Sequence, residues 1–209
     1  MKIGIIGATG RLGRLLLKES INRKHDVTAI VRDANKLDSL IENVIEKNIN
    51  TLSTDDIKVF DVVISAFGAP IGEGKPHICV GQTLINIFEG TDVRLLIVGG
   101  AGSLYIDSYS KKKVIDTGNL SNDVQKTAIG QDINLKALKE SNVNWSYFSP
   151  SAYFDKDSLR SGKYRFGNNV LLKNNFGESY LSYLDAALAI IDEVETPNYI
   201  KKQFTVVSE

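Results

Sequence analysis

Gly7-Ala8-Thr9-Gly10-Arg11-Leu12-Gly13 spaces three glycines three residues apart, after Lys2-Ile3-Gly4-Ile5-Ile6 and ahead of Leu15-Leu16-Leu17-Lys18-Glu19. The order is a short apolar strand, a glycine turn and a helix. Glycines let a chain bend tightly and approach a pyrophosphate with no Cβ in the way. A helix opening there offers unpaired N–H groups and a positive dipole end to the anion. A glycine triplet alone is a weak signal; between a strand and a helix it predicts a dinucleotide site.

Other loops carry compatible chemistry. Arg32 ends the second strand nineteen residues beyond Gly13, where an NAD-selective site usually holds a carboxylate for the ribose 2′-hydroxyl. An arginine suits a 2′-phosphate, so NADP is expected over NAD, with Asp33 beside it as the competing hydroxyl acceptor. Ser65-Ala66-Phe67-Gly68 is small enough for a ribose and pyrophosphate to lie against the chain, and Gly99-Gly100-Ala101-Gly102-Ser103 leaves room for a flat ring. In Ser149-Pro150-Ser151-Ala152-Tyr153-Phe154 the proline is expected to stiffen the exit and aim Tyr153 along the pocket. His77 and Ser103 are candidates for the substrate side, although for His77 an exposed place at a helix start is the favoured reading. Cys79 reads as a small buried hydrophobe rather than a nucleophile. No cluster has metal-ligand spacing, so no metal is expected.

Positioning these groups takes alternating strands and helices. Near-continuous apolar runs at Asp26–Val31, Val44–Lys47, Asp61–Ala66, Arg94–Val98, Asn144–Phe148 and Gln203–Val207 follow the first strand. Between them, Val80, Leu84, Ile87 and Phe88 share one helical face, and Val124, Ala128, Leu135 and Leu138 another, interrupted at Gln131. Ser182-Tyr183-Leu184-Asp185 opens the apolar helix Ala186–Ile191 with a capping box. This alternation predicts an α/β fold with a doubly wound parallel sheet, an NAD(P)-binding Rossmann fold. The 209 residues are expected to form one such domain, with a polar excursion at about 151–181 covering the substrate side. Its Arg160, Lys163 and Arg165 are either surface charges or an attraction for an acidic substrate such as a flavin phosphate.

The bulk composition narrows the function classes. Formal net charge is zero, with 25 basic and 25 acidic residues, so nothing points to nucleic acid or an anionic membrane surface. One cysteine allows no internal disulfide and fits a reducing, cytoplasmic setting. Gly4, Gly7, Gly10 and Arg11 break the opening apolar run too early for a secretory signal core.

With these loops assembled, the chain resembles the atypical, or extended, short-chain dehydrogenase/reductase group. More narrowly it is similar to NAD(P)H-binding proteins described as NADH-flavin reductases, close to NmrA-like and biliverdin/flavin reductase proteins. The resembling stretches are Gly7–Gly13, Val98–Leu104, Trp145–Pro150, Arg160–Gly167 and Ser182–Ala187, in the family's order and spanning nearly the whole chain. The resemblance implies that Thr9, Arg11 and Leu12 cradle the pyrophosphate, with Gly7, Gly10 and Gly13 in the turn. It implies that Arg32 meets the adenosine phosphate, and that Ser65, Ala66, Phe67, Gly68, Gly99, Ser149, Pro150 and Tyr153 flank the ribose and nicotinamide.

One departure bears on the reaction. Typical short-chain dehydrogenases use a tyrosine, with a lysine four residues on, as acid/base. Tyr109 and Lys113 have that spacing, but Ser103 precedes Tyr109 by only six residues, and Ser110-Lys111-Lys112-Lys113 reads as a solvated basic patch. Alcohol dehydrogenation and sugar epimerisation both need a positioned base. Flavin reduction needs stacking geometry and exclusion of water instead. The expected activity is therefore NAD(P)H-dependent reduction of a flavin or quinone-like small molecule, with no catalytic residue assigned. The rivals are a non-enzymatic NmrA-like NADP sensor and, behind it, a sugar-nucleotide epimerase. Whether the chain is a monomer or a homodimer is left open.

Overall fold

A computed structural model describes residues 1–38 and 41–209. Its main sheet has eight strands in the order β3-β2-β1-β4-β5-β6-β10-β8. These are β1 (Lys2–Ile6), β2 (Asp26–Val31), β3 (Asn43–Glu46), β4 (Val62–Ser65), β5 (Arg94–Val98), β6 (Trp145–Pro150), β8 (Tyr164–Gly167) and β10 (Lys202–Ser208). All neighbours run parallel except β8 against β10. The chain returns to the sheet centre between β1 and β4, which register Ile3 on Val62 and Ile6 on Ser65. A separate parallel pair joins β7 (Tyr153–Asp155) to β9 (Tyr180–Ser182).

Strand alternation splits the core into two layers. Ile3, Ile5, Val27, Ala29, Ile64, Leu96, Phe148 and Phe204 face α1 (Arg11–Asn22) and α5 (Tyr183–Glu195). Ile6, Ile30, Val63, Leu95, Ile97, Trp145 and Tyr147 face α3 (Lys75–Phe88) and α4 (Asn122–Glu140), with the short α2 (Thr54–Ile57) alongside. Burial on both faces explains the continuous apolar strands. The fold is the doubly wound, NAD(P)-binding Rossmann-like α/β architecture that the strand–helix alternation implies.

Two local expectations need correction. Val124 stands exposed on α4, so the buried stripe there is Ala128, Leu135 and Leu138. Strand β6 continues through Ser149 and Pro150, because Ser149 and Pro150 register on Thr205 and Val206 of β10; the loop begins only at Ser151.

Away from the cleft, two buried carboxylates tie elements together. Glu193 on α5 holds the Arg94 guanidinium, which also donates to Ser146 Oγ at 2.7 Å, and Glu193 accepts the backbone N–H of Tyr199 at 2.9 Å. Asp185 accepts from Ser161 Oγ at 2.8 Å, Gly162 N at 2.9 Å and Ser208 Oγ at 2.7 Å. Burial of Asp185 opposes its charge, yet these donors outweigh it and hold the carboxyl below the usual carboxylate range. The segment 151–181 is thus fastened to α5 and β10. Among the described residues no helix is long and apolar enough to cross a membrane.

Candidate dinucleotide and acceptor cleft

A cleft of about 1080 Å³ opens along the carboxyl ends of the strands, where the chain reverses between β1 and β4. Ligands of open α/β sheets bind at this location. Its first wall is the glycine turn. Gly7 adopts φ +77° and accepts the N–H of Gly10 at 2.9 Å, closing the turn. Gly13 does not line the cleft; a Cβ there would stand 2.2 Å from the Gly7 carbonyl oxygen. It sets the depth at which α1 seats under the turn. Gly10 caps α1 with no side-chain bond, and the first turn holds no carboxylate, so its N–H groups face the cleft unneutralised. Such an end receives anions.

Gly7, Thr9, Gly10, Arg11, Leu12, Arg32, Ala66, Phe67, Gly68, Gly99 and Pro150 all line this space. No salt bridge among the described residues engages Arg11, Arg32 or Glu73. Lys36 pairs with Asp33 at 3.4 Å, and Arg32 is exposed after β2. A dinucleotide fits these donors: an open helix end beside a glycine turn, and cations at one end of the channel.

Other expected site residues lie elsewhere. Ser65 is buried in β4, behind Phe67 and away from the main cleft. Ser103 and Ser149 are buried and share the amide of Gln203, whose Nε2 donates to each hydroxyl at 2.9 Å. They brace the Gly99–Ser103 loop from behind. Tyr153 points out, 63 % exposed against Tyr180, and its neighbour Phe154 takes the cleft position beside Tyr183, with ring centroids 4.1 Å apart. Alternation along β7 is the reason: adjacent side chains take opposite faces.

His77 is the reverse correction. It is 5 % exposed rather than solvated, lines the cleft and sits edge-on to Phe67 with centroids 5.5 Å apart. Burial lowers its pKa, and Nε2 has no hydrogen-bond partner among the described residues. Cys79 is exposed and lines the cleft, not buried as expected. Lys113 is not part of a solvated patch; its ammonium pairs with the buried Asp132 at 2.5 Å. Tyr109 is 97 % exposed, so Tyr109 and Lys113 do not assemble as an acid/base pair.

Among the cleft side chains that sequence reasoning missed are Asn48 and Asn50 after β3 and, at the opposite end, Ile71, Pro76, Val114, Leu120, Thr127 and Gln131. Val114 and Leu120 belong to a strap folded back by bridges such as Val114 N to Leu104 O at 2.9 Å. No local motif marks them. Tyr183 opens α5; burial raises its phenol pKa, with the Arg11 charge opposing that rise.

A model of an NAD(P)H-binding family matches residues 7–197, from the glycine turn through α5 and so most of the chain. The chain belongs to this NAD(P)H-binding family. It is 43 % identical over 211 residues to protein YwnB of Bacillus subtilis (strain 168), covering 100 % of this chain and 99 % of that one. A crystal structure from Streptococcus pneumoniae TIGR4, described as "a putative NADH-flavin reductase", superposes with a TM-score of 0.95 at 34 % identity, covering 100 % of both chains. A Bacteroides thetaiotaomicron structure, described as a "putative epimerase", superposes with a TM-score of 0.88 at 33 % identity over 99 % of this chain and 96 % of that one. These neighbours fit the extended short-chain dehydrogenase and NmrA-like group that the motifs resemble.

Proposed function

We propose that the chain is an NAD(P)H-dependent reductase of a flat small-molecule acceptor, a flavin or a quinone, with NADPH preferred over NADH. The observation that carries this reading is the continuity of one cleft from the unneutralised end of α1 to a side-chain-lined chamber beyond Gly99. A site serving only as a dinucleotide sensor has no need of the chamber. The similarity to the pneumococcal protein described as an NADH-flavin reductase supports the same reading.

The chain's own residues divide the work. The N–H groups of α1 and the Arg11 guanidinium receive the pyrophosphate, with Thr9 and Leu12 beside them. Arg32 receives a 2′-phosphate, which supports NADPH as the preferred cofactor. Ala66, Phe67, Gly68, Gly99 and Pro150 hold the ribose and ring, while Ser65, Ser103 and Ser149 brace them from behind. Phe154, Tyr183 and the Val114 and Leu120 strap exclude water. When bound, reduced nicotinamide supplies two electrons and one hydrogen to an acceptor, and water supplies the second proton, giving the two-hydrogen-reduced acceptor and NAD(P)⁺. No side-chain acid is required, in keeping with the exposed Tyr109 and the paired Lys113.

The test is oxygen-free mixing of the protein with NADPH, then NADH, each with a flavin or a quinone, against a protein-free control. Protein-dependent oxidation, faster with NADPH, is expected. Tight NADPH binding without its oxidation by any acceptor would overturn the reductase reading in favour of a sensor.

A further inference from the structure

The cleft is electrically divided. Its cations, Arg11, Arg32 and Lys47, all flank the first three strands, at the dinucleotide end. Lys47 is already committed to Asp56 at 2.6 Å. The acceptor end, from Ile71 to Gln131, carries a single formal charge among the described lining residues, and it is negative: the carboxylate of Glu73. Around it stand Ile71, Pro76, Val114, Leu120 and Ala128, which offer an anion nothing in exchange for its hydration.

Nearby charges do not reverse this. Lys126 pairs with Asp123 at 3.2 Å, and Asp123 puts an acidic charge in the first turn of α4. Lys113 is turned to Asp132. Lys75 does not line the cleft. Arg160, Lys163 and Arg165 do not reach it either, and Arg165 is held by Glu209 at 3.0 Å. Burial holds the pKa of the His77 ring below the usual histidine value. A terminal phosphate entering this chamber would therefore meet like charge and, among the described lining residues, no cation to compensate it.

We propose that the acceptor is an uncharged planar molecule of the quinone type, and that Glu73 makes the site select against phosphate-bearing flavins. The proposal rests on the reductase reading and narrows its substrate class. The acceptor is reduced by two electrons and two protons in total, one hydrogen coming with the electrons from reduced nicotinamide and one proton from water.

The experiment compares three probes at saturating NADPH without oxygen: menadione, riboflavin and FMN. Riboflavin and FMN share the ring system and differ by the phosphate, so their ratio isolates the charge. Binding of each probe to the protein loaded with NADP⁺ is measured in parallel by calorimetry, a readout independent of turnover. Menadione is expected to exceed FMN in kcat/KM by about tenfold, and riboflavin to bind more tightly than FMN. Glu73→Lys is expected to raise FMN affinity and the FMN-to-menadione ratio of kcat/KM by about tenfold; Glu73→Gln falls between. Glu73 is exposed, so both variants are expected to fold.

Equal or better use of FMN than riboflavin by the unmodified protein overturns the proposal alone. So does a FMN-to-riboflavin ratio that ignores the charge at position 73. Saturable NADPH binding with no reduction, and no binding, of any of the three probes overturns the reductase reading and this inference with it.

Discussion

The two ends of the cleft are built on different principles. At the dinucleotide end the backbone makes the site: the Gly7 turn, the open N–H groups of α1 and the close seating of Gly13 under Gly7. At the acceptor end side chains make it, delivered by a strap, two helix starts and β7, none adjacent in sequence. Backbone sites have little freedom to vary, because a single Cβ destroys them. Side-chain sites can be re-lined by substitution at no cost to the fold. The first end is thus suited to one constant ligand, and the second to a ligand set by its side chains.

The contrast is broken most directly at Gly13. In Gly13→Val the new Cβ would fall 2.2 Å from the Gly7 oxygen, forcing α1 off the turn. NADPH affinity is expected to drop about 100-fold or more and stability by about 3 kcal/mol, read by fluorescence titration and urea unfolding. Near-native affinity would mean that the turn is not the anion site.

Arg32→Ala sharpens the same end. It should cost NADPH about 10- to 100-fold in affinity, the range for a lost charge-assisted bond, and leave NADH within about twofold. Equal losses for both cofactors would assign Arg32 to the shared part of the dinucleotide.

Away from the cleft, Asp185→Asn removes the carboxylate that fastens Ser161 and Gly162. The folded pKa lies below the unfolded one, so the ionised group stabilises the fold above about pH 4 and the benefit is lost as pH falls through the folded value. The variant is expected to lie about 1.5 kcal/mol below the unmodified protein at pH 7, with the gap closing as pH falls below about 4. A gap independent of pH would place the effect in packing rather than charge. The smallest change expected is from Tyr109→Phe: turnover should stay within about twofold, because the phenol stands in solvent. Full loss of turnover would restore the tyrosine–lysine mechanism.

Legibility in the sequence followed the same division. The glycine turn, the seven principal strands and the Ser182 cap of α5, whose hydroxyl accepts the Asp185 N–H at 2.9 Å, are local patterns readable within a few residues. Tyr153 and Phe154 were not separable by inspection, since one residue of register decides which faces the cleft. His77 looked solvated because its neighbours are Gly74, Lys75 and Pro76, whereas its burial comes from Phe67, on the loop after β4, and the helix layer. Val114 and Leu120 bear no motif at all.

What the sequence by itself determined is the chain of β and α units, the parallel sheet and the end of it at which a dinucleotide belongs. These follow from hydrophobic period and from the backbone freedom of glycine, both properties of short segments. Only the tertiary structure decided that Cys79 is open, that Ser103 and Ser149 are braces, that Lys113 is spent on Asp132 and that, among the described lining residues, Glu73 alone charges the chamber from Ile71 to Gln131. Those outcomes depend on which distant side chains meet across folded layers, and pairwise contact between remote segments leaves no imprint in local spacing.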